Sequence, residues 1–365
     1  MSLTQIEPEV TVVFLLYNAE RTVDRLLDLI LAQTHPQFSN QKQWLKVIFN
    51  DDASKDNTLG LLRDGLKKIG NPDHVRINAN SKNLGLSESI NQLLINHIKT
   101  PFVLTCHLDC FFSNPDYVSK MLELIKTHPN AATITGRQDV DLQRNIPFPE
   151  RVNLVANLMD VVNPPHSHTE KELISIGFAE GRCDIFRLEA LKKIGFHDTT
   201  LRTAGEDQVL CGRLREAGYE IFQAPGCQYD LSVSAEQDSL KKLFHHQRLF
   251  GRVHPYIFVQ GQGSRAGVVG RAAGPNRQSR SILRLQQTLA TATYLIAPLF
   301  PVVLAFTFVF KWFLFRKHFA LIPFSFAEKV AFYLYQPIFD VGYTVGLFEG
   351  LVFLLLRRLG AQKTI

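Results

Sequence analysis

Over the first 130 residues, short apolar runs alternate with stretches in which apolar residues recur every three or four positions. Thr11–Tyr17 (TVVFLLY) has the pattern of a buried strand, and Val23, Leu26, Leu27, Ile30 and Leu31 then share one helical face. The alternation continues with a strand at 45–49 and a helix over 59–69 through Leu59, Leu61, Leu62 and Leu66. A weak strand at His74–Asn78, a helix over Ser87–His97 and a strand at Phe102–Cys106 complete it. Strands and helices taken in turn predict an α/β fold with a mostly parallel sheet flanked by helices. Beyond about residue 130 the pattern loosens. Residues 139–172 mix prolines, acids and histidines, as a long functional loop does. An apolar-periodic segment returns at 185–195, followed by a helix over 206–217 that Gly218 ends. Residues 261–281 are rich in Gly, Arg and Ser and read as a mobile or substrate-ordered segment.

The C-terminal part has a different character. Leu285 to Phe310 contains no charged residue, which is long enough to cross a bilayer core, and Pro298 and Pro301 lie inside it. A second apolar segment, Val330–Leu356, carries Asp340 and Glu349 and ends in Arg357-Arg358. Buried acids are costly in lipid, so this segment either lies in the interface or packs on the first. The organisation expected is a catalytic domain over 1–230, a basic Gly/Arg-rich juxtamembrane segment over 231–284, and membrane-associated helices over 285–365.

Charge and cysteines refine this picture. A net charge of +6 suits an anionic ligand or a membrane surface, but it is too diffuse to argue for nucleic acid. The five cysteines form no CxxC pair, which argues against a disulfide framework or a structural zinc and fits a reducing cytosol. The opening MSLTQIEPEV has neither a basic nor an apolar leader region, so no signal peptide is expected there. Together these place a membrane-associated protein with its catalytic domain in the cytoplasm.

The candidate chemistry gathers at strand ends. The first strand closes on Tyr17-Asn18, with Glu20 opening a helix. The strand at 45–49 breaks into VIFNDDASKDNT, where Asp51 and Asp52 stand side by side. As turn formers, such residues need only bond their own backbone, and Ser54 or Asp56 serves equally as a helix cap. In open α/β sheets, however, ligands bind outside the carboxyl ends of the strands, where a carboxylate accepts from a base or a ribose. Then come Asn83-Leu-Gly85, with Asn91 six residues beyond the glycine, and a strand running into His107-Leu-Asp109. Far downstream stands Gly205-Glu206-Asp207, with Arg213 and Gly218-Tyr219 at fixed spacing behind it.

These motifs, in this order over roughly residues 10–230, resemble the family 2 glycosyltransferases, inverting enzymes with the Rossmann-like GT-A fold. Residues 181–198 (GRCDIFRLEALKKIGFHD) resemble the family's segment before its E-D motif. The resemblance implies a nucleotide-sugar donor contacted by Tyr17, Asn18, Glu20, Asp51, Asp52, Asn83, Gly85, His107 and Asp109. Tyr17 and Asp52 would hold the base and Asp51 would support the turn. It also implies a divalent cation, Mg²⁺ or Mn²⁺, on the D-x-D. Here that motif reads His107-Leu-Asp109, leaving Asp109 on the metal and His107 near the ribose or metal. Asp207 is then the general base, with Glu206 beside it, against the simpler reading of two acids favoured by a helix N-terminus. Arg248 and Arg252 sit where the family places a basic element that closes on the diphosphate. The Q-x-x-R-W signature of processive synthases is absent, and no Gly-rich triphosphate loop follows the first strand. The expected activity is inverting sugar transfer to a lipid-linked or glycan acceptor at the cytoplasmic membrane face. The altered D-x-D leaves open the alternative of a degenerate nucleotide-sugar-binding or scaffold protein of the same fold.

Overall fold

The computed structural model describes residues 7–112, 114–139, 146–156, 173–202, 204–231, 239–260, 275–298, 302–361 and 364–365. In chain order the first elements are β1 (Val10–Leu16), α1 (Val23–Leu31), β2 (Leu45–Asp51), α2 (Thr58–Lys68), β3 (Val75–Ala79), α3 (Leu86–Asn96) and β4 (Phe102–His107). Next come β5 (Cys110–Phe111), α4 (Tyr117–Thr127), β6 (Ala131–Asp139), α5 (Phe148–Ala156), β7 (Ile174–Ser175), β8 (Cys183–Arg187), α6 (Leu188–Ile194) and α7 (Glu206–Glu216). The remainder is β9 (Glu220–Leu231), α8 (Leu240–Val259), α9 (Pro275–Ile296), α10 (Val302–Leu321) and α11 (Phe326–Arg358). The contacts divide the chain into two compact units, Met1–Arg137 with Ser167–Ser232, and Gln138–His166 with Val233–Ile365.

The first unit is built on one sheet of order β3-β2-β1-β4-β8-β6-β9-β5, with β7 pairing β9. Its first four strands are parallel, and Val13 of β1 stands between Ile48 of β2 and Thr105 of β4. β4 then meets β8 antiparallel, and from there the sheet continues in antiparallel pairs. Continuous apolar runs form the central strands because both faces are covered. Val13, Ile48 and Val103 pack with Ile90, Leu93 and Leu210 of α3 and α7 in one core cluster. The parallel order brings the carboxyl ends of β1, β2 and β4 to one edge, and Tyr17, Asp51 and His107 arrive there together.

The α/β alternation read from the pattern is present to within a residue or two at each element. The antiparallel half was not visible in it. β6 and β9 carry Gly136, Pro225 and Gly226 and several polar positions, so neither alternates cleanly. The periodic segment at 185–195 is a strand that runs directly into a helix. Within 139–172 a helix, α5, is formed; most of that expected loop, and residues 261–274 of the expected mobile segment, lie outside the described residues. Residues 275–281 belong to α9.

The second unit is helical. The uncharged stretch 285–310 is not one helix: α9 ends at Ile296 and α10 begins at Val302. Ala297 precedes Pro298, and the residue before a proline is disfavoured in the α conformation. Among the described residues one helix, α11, is long and apolar enough to cross a membrane. Its two interior acids are both compensated. Asp340 is fully buried with Lys311 of α10 at 2.8 Å and accepts from the Tyr294 hydroxyl of α9 at 2.5 Å. Glu349 accepts from Arg248 Nε of α8 at 2.9 Å.

α8 and α11 approach backbone to backbone. Gly342, Gly346 and Gly350 recur every fourth residue along one face of α11 and meet α8 around Gly251. A Cβ on Gly346 would overlap the Arg248 carbonyl, and one on Gly251 would overlap the Tyr343 carbonyl. Small residues at this spacing are how helices pack closely without a hydrophobic drive between them. Gly346→Leu is therefore expected to cost about 3 kcal/mol or more, because the obstacle is main chain and cannot rotate away. Melting in detergent checks this, with Val345→Leu on the exposed side as the unaffected control.

Candidate functional site

The β1–α1 and β2–α2 loops are laced together. Asn18, left-handed at φ 53°, receives the Lys55 amide on its Oδ1 at 2.9 Å while its own N–H donates to Ser54 Oγ at 2.9 Å. Glu20 N–H donates to Asp56 at 3.1 Å, and Glu20 Oε2 accepts from the Asn57 amide at 3.2 Å. Ser54 and Asp56 thus hold the neighbouring loop rather than their own helix alone. Both loops end at the edge where Tyr17 lies half-buried.

The two adjacent acids part company here. Asp52 accepts four hydrogen bonds, from Asn80 Nδ2 (2.8 Å), Leu84 N (2.9 Å), Gly85 N (2.9 Å) and Ser89 Oγ (3.0 Å). Three of these donors meet Oδ1 and the Gly85 amide meets Oδ2, so the carboxylate is mostly engaged by the protein itself. It ties the 80–85 loop and the start of α3 to β2. Asp51 is equally buried, but among the described residues only one oxygen is engaged, by the Ser54 amide at 3.3 Å, and Oδ1 has no partner. A buried acceptor left unpaired in the protein is the better ligand group. The bonding suits Asp52 to supporting the turn and leaves one Asp51 oxygen open.

Asn83 and Gly85 belong to the same lattice. Asn83 Nδ2 donates to the Asp52 carbonyl at 3.3 Å, and Gly85, at φ 81°, adopts a conformation that L side chains rarely take. Asn91, further along the motif, bonds both the amide and the carbonyl of His197, at 3.0 and 2.9 Å. Asn80 and Ser89 were not singled out in the sequence, although an asparagine and a serine flanking the Asn83-Leu-Gly85 turn were the available signal.

His107 and Asp109 lie at the end of β4. Burial lowers the His107 pKa, Asp109 pulling the other way, so the imidazole is held neutral and able to ligate. The Cys110 thiol donates to Asp109 Oδ1 at 3.5 Å. Among the described residues no group of three or more His, Cys, Asp and Glu surrounds a common point. Asp109 with one carboxylate and His107 with one imidazole are the residues here that would hold a divalent cation.

Glu206 and Asp207 open α7 behind Gly205, which is left-handed at φ 77°. Together with His107, Thr105, Gly181 and His197 they line one small cleft. A helix N-terminus favours ionised acids, but burial wins here. Desolvation, then the Glu206 charge, push the Asp207 carboxyl well above the usual carboxylate range. Burial raises Glu206 as well, and its Oε2 has no protein partner. His197 is pushed down to about 4 by burial and by Arg213, so it lines the cleft as a neutral ring. Arg213 itself donates to the Phe196 carbonyl at 2.9 Å, where the chain is left-handed at φ 66°. The spacing from Glu206 to Arg213 thus serves the loop that carries His197.

Arg248 and Arg252 lie on α8, in the second unit. Arg248 is ion-paired with Glu349, which holds its guanidinium more firmly protonated. Both face the glycine seam of α11 through their main chain.

The family model described as Glycosyl transferase family 2 matches residues 11–195, half of the chain. Among solved structures, the mannosyltransferase PcManGT from Pyrobaculum calidifontis, in complex with GDP-Man and Mn²⁺, is similar over 94% of this chain and 87% of its own. Its TM-score is 0.56, at 15% identity. GalNAc-T7, solved with UDP, GalNAc and Mn²⁺, is similar over 75% of this chain and 54% of its own, with a TM-score of 0.50 at 13% identity. At such identities the likeness is one of fold. No curated protein matches the sequence.

Proposed function

The chain belongs to glycosyl transferase family 2, and from that premise we propose that it transfers a sugar with inversion from a nucleotide-sugar donor to a lipid-linked or glycan acceptor at the cytoplasmic face of a membrane. That it is a glycosyltransferase of GT-A fold follows from the family and the architecture; the stereochemistry, the acceptor and the site roles are our reading. The observation that supports it is the small cleft that Asp207 and Glu206 line together with His107, the last residue of β4.

In this reading the base lies near Tyr17 and donates an N–H to Asp51, while Asp52 keeps the floor of the pocket in place. Asp109, with His107, would hold the divalent cation, which when bound supplies positive charge against the diphosphate. Asp207 takes the proton of the acceptor hydroxyl. The acceptor oxygen then forms its bond to C1 as the C1–oxygen bond to the diphosphate breaks, and the nucleoside diphosphate leaves on the opposite side. The degenerate alternative draws on His107 standing in for an acid. A transfer assay with a panel of nucleotide sugars, with Mn²⁺ and with EDTA, separates the two: donor binding without transfer to any lipid-linked or glycan acceptor would favour the degenerate protein.

Membrane attachment rests on where apolar surface is exposed. Of the large apolar side chains that stand exposed among the described residues, all but Ile69 and Ile95 lie on or beside α8–α11. Phe306, Phe313, Phe326, Leu334, Phe348 and Leu355 are among them. So extensive an apolar surface marks an interaction site. The full chain is expected to float with liposomes in a density gradient, and Phe306→Ser/Phe313→Ser/Phe348→Ser is expected to reduce the floating fraction severalfold. Equal flotation of wild type and variant would place the attachment elsewhere.

A further inference from the structure

We infer that Arg182 binds the diphosphate of the donor and takes over part of the charge neutralisation that two acids and a metal provide where the D-x-D is complete. The inference rests on the donor site proposed above and names a residue to which the sequence reading gave no role. Its ground is the pairing of β4 with β8. Cys106 stands opposite Cys183, and on the next rung the His107 amide donates to the Arg182 carbonyl at 3.0 Å. That hydrogen bond holds the Arg182 main chain against His107 at the carboxyl end of β4, one position before β8 begins.

The surroundings fit a charged ligand group. Gly181, at φ 69°, turns the chain against Asp207, where a Cβ would stand 3.6 Å from the aspartate Cβ. Arg182 thus lies between the residue proposed as base and the strand end that carries Asp109. Its ion pair with Glu180 is long, at 3.5 Å, with both side chains about one-fifth exposed. A guanidinium fork matches two phosphate oxygens at once, which a lysine cannot do.

The charge count explains why an arginine belongs there. Replacing the first acid of the D-x-D by a neutral imidazole removes one negative charge from the cation's shell and weakens its hold. A fixed cation on the neighbouring rung restores positive charge at the leaving group without a metal. Nothing in the transfer step changes: the same C1–oxygen bond breaks, and the departing diphosphate carries its charge into contact with Arg182.

Calorimetric titration of the full chain with UDP and with GDP, each in EDTA and in Mn²⁺, tests this. Wild type is expected to keep measurable affinity for one of them in EDTA. Arg182→Gln is expected to lose about 10- to 100-fold of that affinity, with a smaller loss in Mn²⁺ and Arg182→Lys in between. Glu180→Gln, which removes the competing carboxylate, is expected to bind as well as wild type or better. Unchanged affinity of Arg182→Gln in EDTA overturns the inference. So does an equal loss in Glu180→Gln accompanied by the same fall in melting temperature, since the pair is then only a brace. If wild type binds neither nucleotide under either condition, the donor site itself is refuted, and this inference with it.

Discussion

Asp207→Asn is expected to leave donor affinity nearly unchanged and to lower sugar transfer by about 10²–10⁴-fold. In the mechanism proposed above the donor side does not need this carboxylate, because its diphosphate would be met by residues at the end of β4 and by Arg182. The acceptor hydroxyl does need it: its pKa lies far above neutrality, and it attacks poorly until a base begins to take its proton. Asparagine keeps the shape and the hydrogen bond from the Gln208 amide but cannot accept that proton. The same site gives a pH signature. Burial, and then Glu206, raise the Asp207 carboxyl, and only its ionised form is a base. Transfer should therefore fall as pH drops through that raised value, well above the range of an ordinary carboxylate. A kcat/KM profile places this acid limb, and Glu206→Gln, by removing the neighbouring charge, should move it to lower pH. Near-normal transfer by Asp207→Asn would shift the base to Glu206, and loss of donor binding would make Asp207 a structural residue.

Much of this site was legible because its residues sit where local patterns end. Tyr17, Asp51 and His107 each close an apolar run, and a strand that stops on a polar residue reports its own carboxyl edge. Glu206 and Asp207 follow a glycine and begin a periodic helix, so their place was equally visible. What the pattern could not show was pairing. Cys183 opposite Cys106, and hence Arg182 beside His107, is a contact between strands far apart in the chain, with no periodic trace in either. The antiparallel strands β6 and β9 were missed for a related reason. Their packing depends on distant neighbours: a Cβ on Gly136 of β6 would collide with the Tyr117 hydroxyl and the Cys227 carbonyl of β9. In the helical unit, composition marked an apolar region but misplaced its break. Uncharged length was read across Pro298, where the helix in fact ends, while Asp340 looked costly only because Lys311 was out of sight.

The adjacent acids that sequence alone cannot rank are expected to fail in opposite ways when mutated. Asp52→Ala removes the acceptor of four donors, two of them main-chain amides at the entry to α3 that have no side chain to rotate away. Each buried donor left unpaired costs about 1–3 kcal/mol, softened where water enters, so a loss of roughly 3–5 kcal/mol in stability is expected. Asp51→Ala deletes one long bond from the Ser54 amide and an oxygen that no protein group uses, so its cost to folding should be small. Its cost to binding should not be, since the proposed contact to the base is buried and unshared: about 1–3 kcal/mol in UDP or GDP affinity. Denaturant unfolding and calorimetry on both variants give the comparison directly. A stable Asp52→Ala protein that has lost nucleotide binding, beside an Asp51→Ala protein that binds normally, would return the base to Asp52. It would also mean that the four bonds to Asp52 exchange for a ligand when the donor arrives.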